Sequence, residues 1–175
     1  DPIWLPVDRV VSPVAALMEP AFQAKGVSLR VELDDLQPLV WADAEKLHQV
    51  LVNLLANSIA ATPEGGAVTI SAGSRPATSE EIEVGLRVGN ATFTTMVTIV
   101  VSDTGSGMPE EDLQKAFTPF FTTKAIGKGT GLGLFISRET VQAHGGTLTL
   151  DSEVGKGTRV VISLPGNSAP VSSVA

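Results

Sequence analysis

The sequence predicts an α+β domain, because helical and strand periodicities are interspersed along one short chain. Apolar residues recur at spacings of three and four in several stretches, which marks one face of a helix. Shorter runs alternate apolar with polar residues, which marks a half-buried strand. The length of 175 residues, 43% of them hydrophobic, suits one domain with a sizeable core.

In order, residues 1–25 begin extended, with Pro2, Pro6 and Pro13, and then turn helical. Val14, Leu17, Met18, Ala21 and Phe22 form an apolar face, and Gly26 stops the helix. Val27, Leu29, Val31 and Leu33 alternate as a strand; a turn at Asp34, Asp35 and Pro38 leads to a short strand, Leu39-Val40-Trp41. Asp43 reads as the N-cap of a long helix from about 44 to 61. Leu47, Val50, Leu51, Leu54, Leu55 and Ile59 are its buried stripe, and Thr62-Pro63-Glu64-Gly65-Gly66 ends it. Val68 and Ile70 belong to the next strand. Residues 73–95 alternate at Ile82, Val84, Leu86 and Val88 and read as a long hairpin with a mobile tip. Met96 to Val101 is a β-branched central strand that delivers Asp103. A helix is expected from Thr130 to about His144, stopped by Gly145-Gly146, then strands 147–151 and 158–164 around a Gly155-Lys156-Gly157 turn. Residues 166–175 have no periodicity and read as a disordered tail or linker, which leaves 1–165 as the domain.

Composition excludes several function classes. A net charge of −7 with twelve Lys and Arg leaves no strong basic patch, so no nucleic-acid partner is expected. There are no cysteines for disulfides or thiolate metal sites. No apolar run reaches the ~18 residues of a membrane span, and Asp1-Pro2-Ile3-Trp4 has no basic leader, so a soluble domain without direct membrane contact is expected.

Three pieces point to a nucleotide. Asp103-Thr104-Gly105-Ser106-Gly107-Met108 ends a buried strand. A carboxylate there can accept from the exocyclic amine of adenine, and Gly105 and Gly107 let a base approach the backbone. Thr130-Gly131-Leu132-Gly133-Leu134 opens a helix, whose unpaired N–H groups suit phosphate. Asn53 and Asn57 stand four apart on one helix face in an apolar run, and Asn57 can offer a neutral oxygen to Mg²⁺. Alone, each piece also fits a plainer role: a tight turn, a loop packed on its neighbour, or asparagines bonded to nearby backbone. P-loop, dinucleotide and protein-kinase signatures are absent.

Together the pieces resemble the N, G1, F and G2 boxes of the ATP-binding domain of sensor histidine kinases, within the gyrase, Hsp90, histidine kinase and MutL superfamily. The matching residues run from Gln49 to Asn57, Asp103 to Met108, Phe117 to Lys124 and Gly129 to Leu134, with His144-Gly145-Gly146 and Gly155-Lys156-Gly157-Thr158 in the closing strands. Pro119-Phe120-Phe121-Thr122-Thr123-Lys124 resembles the nitrogen-regulator-like subgroup.

The resemblance implies a two-layer α/β sandwich of the Bergerat type, its mixed, mostly antiparallel sheet covered on one face by about three helices. It implies ATP and Mg²⁺ as cofactors, with Asn57 as metal ligand and an ATP lid at about 108–130. Asn53 and Lys124 take catalytic roles; Asp103, Gly105 and Gly107 hold the base; Lys128, Thr130, Gly131, Leu132, Gly133 and Leu134 meet the phosphates; Thr158 joins the adenine network. Ala60 departs from the many members that carry a lysine or another polar residue there. Gyrase-like and MutL-like ATPases, and serine kinases of the anti-sigma-factor type, are the alternatives; they resemble this fold but place an acidic base at the position of Asn53, and an amide cannot take a proton near neutral pH. The implied function is donation of the ATP γ-phosphoryl group to a histidine on a separate dimerisation domain, and through it to a response regulator receiver domain. His48 and His144 both read as structural, so the acceptor histidine is absent and the isolated chain is expected to be a monomer. A cytoplasmic domain is expected, whether or not the parent kinase is membrane-anchored.

Overall fold

In the computed structural model, which describes residues 1–34, 37–87, 93–124 and 129–167, the chain forms two layers. The strands are β1 (Ile3–Pro6), β2 (Ser28–Leu33), β3 (Leu39–Ala42), β4 (Ala67–Pro76), β5 (Thr95–Asp103), β6 (Thr147–Glu153) and β7 (Gly157–Asn167). The helices are α1 (Asp8–Lys25), α2 (Ala44–Ala61), α3 (Ser79–Arg87), α4 (Glu110–Lys115) and α5 (Gly133–Ala143). Strand order is β1-β3-β7-β5-β4-β2, with β6 also paired to β7. Among the described pairings only β2 with β4 is parallel, which is the expected mixed, mostly antiparallel sheet.

The strand period decides where the core lies. Val97, Ile99 and Val101 of β5 share one face with Val68 and Ile70 of β4 and with Val160, Ile162 and Leu164 of β7. The three long helices α1, α2 and α5 pack on that face, through residues such as Val10, Val14 and Phe22, Leu47, Leu51 and Leu54, and Val141. The α2 stripe is as the spacing predicts, and Asp43 caps it by accepting the Lys46 N–H at 3.2 Å. Truncating Leu51 or Leu54 to alanine would cost about 2–5 kcal/mol, the range for buried leucines. α2 therefore holds its half-buried Asn53 and Asn57 on a rigid support.

Four expectations are corrected. α1 begins at Asp8 and runs through Pro13, with Val10 and Val11 on the buried face and Leu17 69% exposed. Proline lacks the N–H that would bond the carbonyl four residues back. Arg9 O is the carbonyl so freed, and His48 Nε2 lies 3.1 Å from it. A carbonyl only accepts, so Nε2 carries the proton, and His48 repairs the helix that Pro13 interrupts.

Residues 73–95 are not a plain hairpin. β4 and β5 do pair antiparallel, but α3 lies between them where strand alternation was expected at Ile82, Val84 and Leu86; Val88 lies outside the described residues. The cause is a capping box. Thr78 Oγ1 accepts the Glu81 N–H at 3.2 Å, and Glu81 accepts the Thr78 N–H at 2.9 Å. Arg75 forks onto the same carboxylate at 2.6 and 2.9 Å and, as the main cause, holds the Glu81 pKa down at about 2.

The last corrections concern element ends. α5 starts at Gly133 rather than Thr130, because Gly131 has φ +70°, which a right-handed helix cannot include. β7 runs through Gly166 and Asn167, which pair with Val40 and Leu39 of β3, two residues into the expected tail; residues 168–175 lie outside the described residues.

Candidate functional site

A cavity of about 380 Å³ opens between α2, the end of β5, the β6–β7 hairpin and the segment leading into α5. It is lined by Asn53, Asn57, Asp103, Gly107, Lys124, Thr130, Gly131, Gly133, Leu134 and Thr158 among others. The structure thus brings together residues that lie a hundred positions apart in the chain. Gly105 and Leu132 do not line it, and Lys128 lies outside the described residues.

At one end Asp103 is 9% exposed. β5 delivers it to the helix-facing side of the sheet, in register with Val68. Its Oδ1 accepts two backbone N–H groups, Gly105 at 2.9 Å and Thr158 at 3.2 Å. The Gly105 backbone thus holds one oxygen of Asp103 in place. Oδ2 receives no hydrogen bond from the described residues, so one carboxylate oxygen is fixed and the other is available. Leu150, Val160, Leu134 and Met108 supply apolar walls next to it. A flat heterocycle with an exocyclic amine fits this combination.

At the other end the amides of α2 face the beginning of α5. Asn53 Nδ2 donates to the buried Ser137 Oγ at 3.2 Å. A Cβ at Gly133 would overlap the Asn53 side chain, so this glycine permits the helices to meet here. Asn57 Oδ1 accepts from Lys124 Nζ at 3.2 Å. Thr130 Oγ1 accepts the Leu132 N–H at 3.3 Å, an ST-turn ahead of the helix rather than its N-cap.

The segment between these ends is tied down at two points that sequence reasoning missed. The Arg138 guanidinium of α5 lies 4.7 Å from the Phe117 ring centroid, a cation–π contact. The Phe120 N–H donates to Gly131 O at 2.9 Å, with Phe120 at φ +67°. A Cβ on Gly131 would overlap the Phe120 backbone, so protein packing explains this glycine without a ligand. A bulky residue with positive φ is costly, and such strain clusters at functional segments. No periodicity signals a backbone strain of this kind. Ser152 was also missed: the strand was expected to end at 151, whereas β6 runs on to Glu153 and sets Ser152 opposite Thr158.

Neither histidine lines the cavity. His144 Nδ1 donates to Thr140 O at 2.7 Å and Nε2 accepts the Asp43 N–H at 3.1 Å, so the ring joins the end of α5 to the cap of α2.

This geometry has counterparts. Residues 42–168 match the family model of the histidine kinase-, DNA gyrase B-, and HSP90-like ATPases. The chain is 42% identical over 142 residues to the sensor kinase CckA of Brucella abortus (strain 2308), covering 81% of this chain and 15% of CckA. Among solved structures, full-length ShkA in complex with AMPPNP superposes with a TM-score of 0.75 at 27% identity, covering 97% of this chain and 32% of ShkA. The nucleotide-free catalytic domain of histidine kinase ThkA gives 0.74 at 28% identity, covering 94% of this chain and 95% of that domain. The chain spans only a small part of the curated kinase but nearly the whole of the excised ThkA domain. With the fold, the paired asparagines and the strand-end aspartate in one cavity, the chain belongs to the histidine kinase-, DNA gyrase B-, and HSP90-like ATPase family.

Proposed function

We propose that this chain is the ATP-binding catalytic domain of a sensor histidine kinase, presenting ATP·Mg²⁺ to a histidine carried on a separate dimerisation domain. The observation that carries the reading is the composition of the cavity wall. Among the described residues, Asp103 is the single carboxylate lining it and Lys124 the single cation. Asp103 is held by backbone N–H groups at the base end. The residue beside the phosphate end is Asn53, an amide that cannot act as a general base. Water is therefore not activated within the cavity, and the γ-phosphoryl is kept for an outside nucleophile. The imidazole nitrogen forms the new P–N bond, the P–O bond to the β-phosphate breaks, and ADP leaves. From phosphohistidine the phosphoryl group passes to the receiver domain of a response regulator.

Asp103 Oδ2 accepts from adenine N6. Asn53 positions the phosphates, while Gly131, Gly133 and Leu134 meet them near the start of α5, with Thr130 and Lys128 closing over. Lys124 withdraws from Asn57 to the β- and γ-oxygens. Magnesium fits the arrangement, because Asn57 Oδ1 already faces a cation, the Lys124 ammonium, and hard divalent ions take such neutral oxygens. When bound, the ion would supply positive charge against the phosphates. The segment 108–130 acts as the lid. The domain works in the cytoplasm, where ATP is; no described helix is long and apolar enough to cross a membrane.

The test is calorimetry of ATP with and without Mg²⁺, on the wild type and on Asp103→Asn and Asn57→Asp, followed by mixing with a histidine-bearing dimerisation domain. ATP binding, slow hydrolysis and phosphohistidine formed in trans are expected. Absence of ATP binding, or fast turnover by the isolated chain, would contradict the proposal.

A further inference from the structure

Ser152, in β6, stands directly opposite Thr158 of β7 on the cavity side of the sheet, in line with Leu150 and Val160. Its hydroxyl has three partners. It accepts the Met108 N–H at 2.8 Å, donates to Gly157 O at 3.0 Å and lies 2.8 Å from Thr158 Oγ1. A hydroxyl has one hydrogen to donate and two lone pairs to accept with. The Met108 N–H can only donate and the Gly157 carbonyl can only accept. With the Ser152 hydrogen on Gly157, the third contact closes only if Thr158 donates its hydrogen to Ser152.

That assignment sets the polarity of the base pocket. The Thr158 hydrogen is committed to Ser152, and its lone pairs remain for a donor. Asp103 Oδ2, whose sister oxygen is held by the Thr158 N–H, is an acceptor as well. Adjacent acceptors demand a ligand edge that presents hydrogens. The 6-amino group of adenine does so; the 6-oxo group of hypoxanthine or guanine presents another acceptor and leaves the buried groups unpaired. The same hydroxyl holds Met108, the first residue of the lid segment, so base recognition and lid root share one atom.

We propose that Ser152 is a specificity-determining positioning residue, fixing the Thr158 hydroxyl as an acceptor and tying the lid root to the base pocket. This rests on the ATP reading above. The link runs through one oxygen: the Met108 N–H and the Thr158 hydrogen occupy the two lone pairs of Ser152 Oγ, so loss of this hydroxyl releases both at once.

The experiment measures ATP and inosine triphosphate binding by calorimetry on the wild type, Ser152→Ala and Ser152→Thr, with hydrogen exchange of the Met108 amide in the nucleotide-free chains. Loss of the hydroxyl is expected to weaken ATP about tenfold, the scale of an unpaired buried polar group, with inosine triphosphate little changed. The preference for adenine therefore shrinks by nearly the same factor, a readout that general destabilisation does not move. Ser152→Thr restores the preference, and in Ser152→Ala the Met108 amide exchanges faster while those of Ile99 and Ile162 keep their protection. A wild type that binds neither nucleotide overturns the ATP reading and this proposal with it. A wild type that binds ATP, with Ser152→Ala keeping the same preference or losing both nucleotides equally, overturns the proposal alone.

Discussion

At the Asp103 end of the cavity the polar contacts are made by adjacent strands and the turn that leaves β5, whereas at the Asn57 end contacts are made across gaps between separate elements. Asp103, Gly105, Ser152 and Thr158 sit on or beside neighbouring strands; the Thr158 bonds follow from the β5–β7 and β6–β7 registers, and the Gly105 bond closes the turn two residues on from Asp103. Asn53 reaches Ser137 on α5, and Asn57 reaches an exposed lysine 67 residues away. A strand ladder fixes positions to a fraction of an ångström; a lysine on a loop is held by one bond and gives up side-chain entropy to make it. The base end is thus preorganised, while the phosphate end is completed by what it binds. That division suits the proposed phosphoryl transfer, in which a rigid part would select the base and a part that moves would carry the transfer.

Substitutions at each end sharpen this contrast. The largest effect is expected at the base end: Asp103→Asn replaces an acceptor with a donor facing adenine N6, and ATP affinity should fall roughly 100-fold by calorimetry, the scale of a lost charge-assisted hydrogen bond. Adenosine should lose as much as ATP, because the defect lies in base reading. Gly131→Ala comes next. It forces a Cβ onto φ +70° against the Phe120 backbone and should cost about tenfold in ATP affinity, of the order of one strained residue, with adenosine nearly unaffected. If adenosine binding fell equally, the two ends would not be separable. A smaller change is expected from Lys124→Ala, about threefold in ATP affinity and reduced at high salt, as befits an exposed ammonium.

The last prediction lies outside the cavity and acts as its control. Glu81→Gln keeps an acceptor for the Thr78 N–H but removes the charge that pairs with Arg75, and should lower stability by about 0.5–1 kcal/mol without changing ATP affinity. The pH dependence has a definite sign. The folded-state pKa of Glu81 is depressed to about 2 from an ordinary 4.5, so its contribution is present above pH 4.5 and is lost as pH falls towards 2. Acid titration of unfolding should lose that increment in the Gln variant.

Legibility varied with the kind of signal. The core stripe of α2, the Asp43 cap and the β5 strand were all readable, because apolar spacing and a capping carboxylate are local properties. The Thr78-Ser79-Glu80-Glu81 box was equally local, yet alternation at Ile82, Val84 and Leu86 suggested a strand; the capping box and the Arg75 pair prevailed over a weak period. The helix expected from Thr130 is delayed to Gly133 by the left-handed Gly131, a backbone state that residue type alone does not reveal.

By itself the sequence determined which chemistry was at hand: an aspartate at a strand end, two amides one helical turn apart, glycines before a helix, and no acidic residue at the position of Asn53. Side-chain type and short-range period suffice for that, since both are written in consecutive residues. Only the tertiary structure decided that Asp103 Oδ1 is held by Gly105 and Thr158, that Ser152 orients the Thr158 hydroxyl, that Lys124 lies on Asn57, and that Gly131 and Gly133 make room for Phe120 and Asn53. Those relations depend on strand register and helix packing between residues far apart in the chain, and a hydrogen bond exists only where the fold brings its two atoms within about 3 Å.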